Sequence, residues 1–450
     1  MTAARACVLL MAAVLVAYAN ALQGVFQFDD YAVIVDNTAV HSWSGWWWSM
    51  PGIRPLLKAS YTLSWTLGGG TLAFHAFNIA CHAASACLVF VLVRRWSDAS
   101  PVMPPAGAPH ATRDWPLPLA VALIFALHPA QTEVVTYLSG RSSGLMALLY
   151  LAALWSWERV RNAGAGSQWP SLVLFAAALA TKETAWTLPF ALILVEFTRN
   201  GGRWRAAWAA ARAHFALLAM ATAAILALPQ YRRMLAASVA VRDPLENLVA
   251  QVSGVTYLIA GPLVSLELNV DPEVPVLHGL AWWGACTALA ALLWAGIAGV
   301  RRGLLGGFGL LWFFLQLLPT NSLLARYDLA NDRQLDLALV GAALTLCVWA
   351  RARMTREGFV VAAIALAAVL GVGTAWRNHD YRSEVALWEA TLATAPHNAR
   401  AWNNLGLAYR NAGDRARAQV AFERALALDP GHYKAAVNLI LLDRDPPRIP

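Results

Sequence analysis

Asp29 and Asp30 stand side by side in FQFDDYAVIVDN, just after the first long apolar run. A carboxylate pair at the start of a loop suits general-base work. One member takes the proton of an acceptor hydroxyl while the other orients it or holds a metal. A divalent ion is compatible with such a pair but not demanded by it. A pair of solvated loop acids is the plainer alternative, and spacing alone does not separate the two.

Four further groups carry charge where apolar runs meet. His128, Glu133 and Arg141 surround a turn in ALHPAQTEVVTYLSGR. Pro129 disturbs the helix there and frees backbone groups that neighbours must satisfy. His128 alone reads more readily as a structural hydrogen-bonder than as a catalyst. Arg141 stands on the face opposite the chain's other arginine clusters, and its planar fork suits phosphate oxygens. Lys182 and Glu183 in TKETAW form either an internal ion pair or, through Lys182, a phosphate contact. Arg326 and Arg333 in NSLLARYDLANDRQLDLA again oppose the arginine bias. Asp328 and Asp332 can neutralise them, or the two arginines can meet a phosphodiester. Their spacing of seven predicts one shared face if the segment is helical. Arg54 and Lys58 lie in a loop with Trp43, Trp46, Trp47 and Trp48, which predict a short interfacial helix.

These groups need a scaffold, and composition names its class. Of 450 residues 59% are hydrophobic and 13% charged, whereas soluble domains carry about 25% charged residues. The 21 tryptophans suit bilayer interfaces. Apolar runs are expected to span at about 7–26, 71–93, 117–136, 143–158, 169–181, 185–198, 214–229, 278–300, 304–319, 335–350 and 359–376. The first run resembles a signal peptide with an AYA site at 17–19, but its length favours an uncleaved span. The Pro-rich stretch 97–116 reads as a cytoplasmic loop.

Residues 250–268 are apolar but interrupted by Gly261-Pro262. A re-entrant path there leaves Arg301, Arg302, Arg351, Arg353 and Arg356 on the same side as the other clusters, as the positive-inside rule asks. About eleven spans follow, and the tail then lies outside the cytoplasm. The net charge of +8 is read as topology, not as a nucleic-acid footprint. The five cysteines lie in apolar runs without metal-ligand spacing. Neither a Walker loop nor an HExxH site occurs.

The tail carries W-x2-L-G-x2-Y then A-x3-F-x2-A then Pro, as Trp402, Leu405, Gly406, Tyr409, Ala418, Phe422, Ala425 and Pro430. That is the pattern of one tetratricopeptide repeat, two antiparallel helices with interlocking small and ring residues. Trp388 and Pro396 fit a preceding half-repeat, and Val437 and Leu439 a following one. One repeat cannot cover its own faces, so neighbours or the membrane part must. The expected organisation is a membrane domain over 1–376, with its first outer loop at 27–70. A repeat region over 377–450 follows, with the full repeat at 399–432.

The strings FQFDDYAVIVDN, RPLLKASYTL, FHAFNIACHAASACLV, ALHPAQTEVVTYLSGRSSGL and TKETAWTLP occur in this order. Together they resemble the transmembrane and tetratricopeptide-repeat O-mannosyltransferase-like family, within the C-type glycosyltransferases. WRNHDYRSEVALWEATLATAPHNARAWNNLG is similar to that family's junction into its repeats. The chain looks like a bacterial-type member with a short tail. The resemblance implies an all-α, polytopic bundle of C-type architecture. It implies transfer of a sugar, typically mannose, from a polyprenyl-phosphate donor to a protein hydroxyl by inverting single displacement. Asp29 or Asp30 would be the base. Arg141, Lys182, Arg326 and Arg333 would hold the donor phosphate, and His128, Glu133, Glu183 and Arg54 would shape the site. An envelope glycan is the other acceptor, and the repeat tail could dock a protein. The expected location is a bacterial inner membrane, with site and tail on the periplasmic side. A non-catalytic envelope scaffold and a lipid-linked-sugar transporter are the competing readings.

Overall fold

The computed structural model describes residues 1–50, 52–99, 115–164, 166–266 and 268–442, and these residues form helices and no strand. Most of the Pro-rich stretch expected as a cytoplasmic loop lies outside the described residues. Each expected span contains a helix. Among the described residues, six helices are long and apolar enough to cross a bilayer, and the bent pair Pro116–Leu127 and Pro129–Val135 makes a seventh. The protein is a multi-pass, all-helical membrane bundle with a helical tail.

The bundle packs by periodicity and by small residues. Helix Ala3–Ala17 buries Ala6, Leu10, Val14 and Ala17, which recur on one face. Val8, Leu15 and Val16 point the other way and are exposed. Helices Leu305–Leu317 and Asp336–Arg351 meet at glycines. A methyl on Gly341 would strike the Gly309 carbonyl and the Phe313 nitrogen. Such close backbone approach is how membrane helices gain contact without a hydrophobic drive.

Pro129 has the effect foreseen for it. The helix stops at Leu127 and the chain bends by 49°. The released carbonyls find partners deep in the protein. His82 Nε2 meets the Ala126 oxygen at 3.0 Å, and Thr374 Oγ1 donates to Leu127 at 2.6 Å. Thr132 Oγ1 donates to Pro129 at 2.8 Å.

The two ends of the bundle differ. At one end Glu158 accepts from Trp96 Nε1 at 2.7 Å and from Arg199 at 2.9 Å, beside the Arg161–Glu196 pair. At the other end lie the first loop, the turn 128–140, the Lys182 turn, the segment 318–335 and the tail. Helix Pro244–Leu258 and its continuation Ile259–Ser265 are long enough to cross. Yet Asn247 Nδ2 donates to the Ser322 carbonyl at 2.6 Å, and the residues just past the far end tie to the tail, Asn269 Nδ2 meeting Thr391 at 2.9 Å. Both ends of this segment thus sit at the same end of the bundle.

The Trp-rich loop forms helix Trp43–Trp48, capped by Ser42 and exposing Trp43, Trp47 and Trp48. Lys58 Nζ bonds the Ser49 carbonyl at its C-terminus at 2.6 Å, a capping role.

The tail consists of helices Glu384–Thr394, Ala399–Asn411, Arg415–Leu428 and Tyr433–Leu442. A methyl on Gly406 would enter the Phe422 ring, which is why the repeat keeps glycine there. The tail is fastened to the bundle. Gln27 Nε2 donates to Tyr381 at 2.6 Å, Phe28 packs edge-on to Trp388, and Arg400 pairs with both Asp271 and Asp328. The membrane part therefore covers faces that a lone repeat leaves bare.

Candidate active site

The two acids of the first loop have different fates. Asp30 is fully buried. Its Oδ2 accepts from the Gln27 amide at 2.9 Å, and its Oδ1 accepts from the Ser139 amide at 2.8 Å and from the Ser139 hydroxyl. Burial pushes its carboxyl up to about 7, against the pull of these donors. Asp30 fastens the first loop to the turn 138–140. Asp29 is half-buried. Its amide donates to the Tyr137 hydroxyl at 3.1 Å, and its carboxylate is one of the charges acting on Arg333.

Arg141 is placed differently from the sequence expectation. Its guanidinium is buried and donates to Asn78 Oδ1 at 2.7 Å, to the Ser60 carbonyl at 2.7 Å, to Ser64 Oγ at 3.0 Å and to the Phe74 carbonyl at 3.0 Å. Tyr61, Phe74 and Phe77 stack within 4.4 to 5.1 Å of it. Every nitrogen of the fork already donates to protein. It ties three helices together instead.

The other three candidate cations converge. Lys182, Arg326 and Arg333 line one narrow cleft of about 30 Å³, with Gln316, Gln334 and Asp336. Lys182 follows helix Trp169–Thr181, and its Nζ donates to Ser143 Oγ at 2.6 Å. Burial and the neighbouring Arg54, Arg326 and Arg333 push the Lys182 amine well below its usual range. Arg326 meets no hydrogen-bond acceptor among the described residues. Burial and Arg333 lower its affinity for its proton. Three cations against the single carboxylate of Asp336 leave the lining of the cleft with an excess of positive charge.

Acids hold the rim. Glu183 does not pair with Lys182. It binds Arg54 in bidentate fashion, Nε to Oε1 at 3.0 Å and the terminal nitrogen to Oε2 at 2.8 Å. Burial raises the Glu183 carboxyl, but Arg54 outweighs it and leaves the group below its usual range. Glu133, buried, accepts from the Arg333 amide at 2.9 Å and faces its Nε at 3.7 Å. His128 Nδ1 accepts from the Ala130 amide at 3.2 Å and so caps the break in the helix.

Arg326 and Arg333 share the cleft without sharing a helix face. The segment between them is irregular, and Arg333 lies in the short turn Asp332–Leu335. Nor do Asp328 and Asp332 serve as simple counter-ions. Asp328 is paired with Arg400, and Asp332 accepts from the Asn269 amide at 3.2 Å. Sequence reasoning passed over Tyr137, Ser139, Gln334 and Asp336. Only Asp336 carried a signal, as an acid at the start of an apolar helix four residues after Asp332. Among the described residues no three His, Cys, Asp or Glu side chains gather to hold a metal ion.

The tetratricopeptide-repeat family model matches residues 399–432. The chain is 31% identical over 189 residues to protein O-mannosyl-transferase Tmtc1 of Drosophila melanogaster, covering 38% of this chain and 20% of that relative. It is 31% identical over 220 residues to TMTC1 of Mus musculus, covering 43% and 22%. It is 30% identical over 220 residues to TMTC1 of Homo sapiens, covering 43% and 23%. The chain spans about a fifth of the length of these curated relatives. No solved structure matches it. Over about two fifths of its length, then, the chain is similar to protein O-mannosyl-transferases, and its tail matches one tetratricopeptide repeat.

Proposed function

We propose that this end of the bundle transfers a mannose-like sugar from a polyprenyl-phosphate donor to an extracytoplasmic acceptor, a protein hydroxyl. The observation that carries the reading is the convergence of Lys182, Arg326 and Arg333, from distant stretches, on one cleft. Their charges suit a phosphate whose prenyl chain stays in the bilayer. The membrane would be a bacterial inner membrane, with cleft and tail on its periplasmic side.

In the proposed reaction the acceptor oxygen attacks the anomeric carbon from the face opposite the phosphate. The bond from that carbon to the phosphate oxygen breaks, and its electron pair leaves with the phosphate. The configuration inverts. The acceptor proton passes to the Asp29 carboxylate. Asp30 is unsuited to that task because both its oxygens are occupied. As the leaving phosphate gathers negative charge, fixed cations lower the barrier, more so away from bulk water. Glu133 holds the backbone of Arg333, and Glu183 holds Arg54 beside the cleft. The competing reading, a non-catalytic scaffold acting through its repeat helices, gives the cleft no task.

The test uses purified protein in lipid nanodiscs, polyprenyl-phosphate mannose and a Ser/Thr peptide. The wild type is expected to mannosylate the peptide. Asp29→Asn is expected to cut turnover by about a hundredfold or more, the range for loss of a general base, at unchanged Tm. No transfer by the wild type, or full turnover by Asp29→Asn, refutes the proposal.

A further inference from the structure

The cations explain only part of the cleft. Its wall also holds Asp336 and Gln334, both more than nine-tenths buried. Both oxygens of Asp336, and both the nitrogen and the oxygen of the Gln334 amide, lack a hydrogen-bond partner among the described residues. Thr184 Oγ1, on the same wall, lacks one too. The Gln131 amide lies against Asp336 without meeting it in hydrogen-bonding geometry. Asp336 opens helix Asp336–Arg351, a place that favours an acid. An acid at a helix start ordinarily accepts from the backbone, yet Asp336 accepts nothing there.

A buried polar group left unpaired is costly, so a cluster of them in one cleft calls for a ligand. The chemistry narrows what fits. A carboxylate takes only donors, whereas an amide and a hydroxyl take both. A second phosphate would face the Asp336 charge. A cationic ligand would face Lys182, Arg326 and Arg333. An apolar group would leave every orphan unsatisfied. A neutral polyhydroxyl group joined to a single phosphate satisfies all of them.

We propose that Asp336 and Gln334 form the recognition face for the donor's sugar ring, with Asp336 accepting from two neighbouring hydroxyls. The assignment rests on the donor reading above and adds to it the residues that tell a sugar-bearing lipid from the bare lipid phosphate. The cations then bind the phosphate of either lipid, and only the sugar face discriminates.

The experiment measures binding of two probes to the full chain in nanodiscs: polyprenyl phosphate without sugar, and polyprenyl-phosphate mannose. The wild type is expected to prefer the mannosyl lipid by about tenfold or more, the worth of a hydrogen bond to a charged group. Asp336→Asn, which keeps the shape and replaces an acceptor by a donor, is expected to erase that preference. It should do so through weaker binding of the mannosyl lipid, with sugar-free binding within about twofold of wild type. An unchanged preference in Asp336→Asn overturns the assignment. So does a wild type that binds both lipids equally, and in that case the donor-phosphate reading survives. A wild type that binds neither lipid removes that reading and this one with it. Should Asp336→Asn fail to fold, Gln334→Leu carries the same expectation and the same refutation.

Discussion

Two buried polar regions lie at the same end of this bundle, and they are built on opposite plans. Around Arg141 and Asp30 every strong donor and acceptor of those two side chains meets protein. Around Lys182, Arg326 and Asp336 the cations outnumber their partners, and acceptors stand unmatched. Burying an unmatched charge is costly, so it persists where something outside the chain completes it. Charge in a membrane protein is thus a poor guide to function by itself. What separates scaffold from site is whether the charge is already satisfied.

The contrast can be broken most forcefully at Arg141. Arg141→Ala leaves Asn78 Oδ1 without its side-chain donor and strips the Ser60 and Phe74 carbonyls of their second one. Removing one member of a buried charged network costs about 3–5 kcal/mol. A steep fall in Tm or in monodisperse yield is expected. Normal Tm with lost lipid binding would move Arg141 into the cleft's class.

Gly140→Ala should come next. The added methyl would collide with the Glu133 and Val134 carbonyls, displacing the turn that presents Ser139 to Asp30. Overpacking of this kind costs about 1–3 kcal/mol. A variant as stable as wild type would show that the turn yields freely.

The scaffold region should also respond to pH. Burial lifts the Asp30 carboxyl from its ordinary 3.8 to about 7. Between those values the native state holds a proton that the unfolded chain has released. Stability from this group is therefore full below about 4 and is lost as pH rises through 7. The wild type should melt at a higher temperature at pH 5.5 than at pH 8. Asp30→Asn should flatten that difference, and an identical slope in both proteins would discard the argument.

The smallest effect is expected at the tail. Arg400→Ala frees Asp328, two residues from Arg326. The pair is partly exposed, so a loss of about 1 kcal/mol is expected in stability. Donor affinity should weaken by a few-fold because the Arg326 segment loosens. Equal affinity would show that the tail does not steady the cleft.

Much of the scaffold was legible in the sequence. Hydropathy located the helices, because a bilayer demands long apolar runs. Pro129 announced the bend, and the repeat spelled itself in Trp402, Gly406 and Phe422. The site was half legible. Lys182 stood out as a charge between two apolar runs, and Arg326 and Arg333 as cations on the wrong side of the arginine bias. Arg141 stood out in the same way and proved to be a tie, because a charge rule sees the ion and not the carbonyls around it. The seven-residue spacing misled because it presumed a helix where the chain wanders. Asp336 was hidden inside an expected span, and Ser139 and Tyr137 are too ordinary in type to signal anything before the chain folds.

The most direct measurement is the affinity of the full chain in nanodiscs for sugar-free polyprenyl phosphate, compared between wild type and Arg326→Met. Removing one charge-assisted contact to the phosphate should weaken binding by about tenfold to a hundredfold, with Tm unchanged. Equal affinity for the two proteins would contradict the account, since the cleft would then be only a cluster of buried cations.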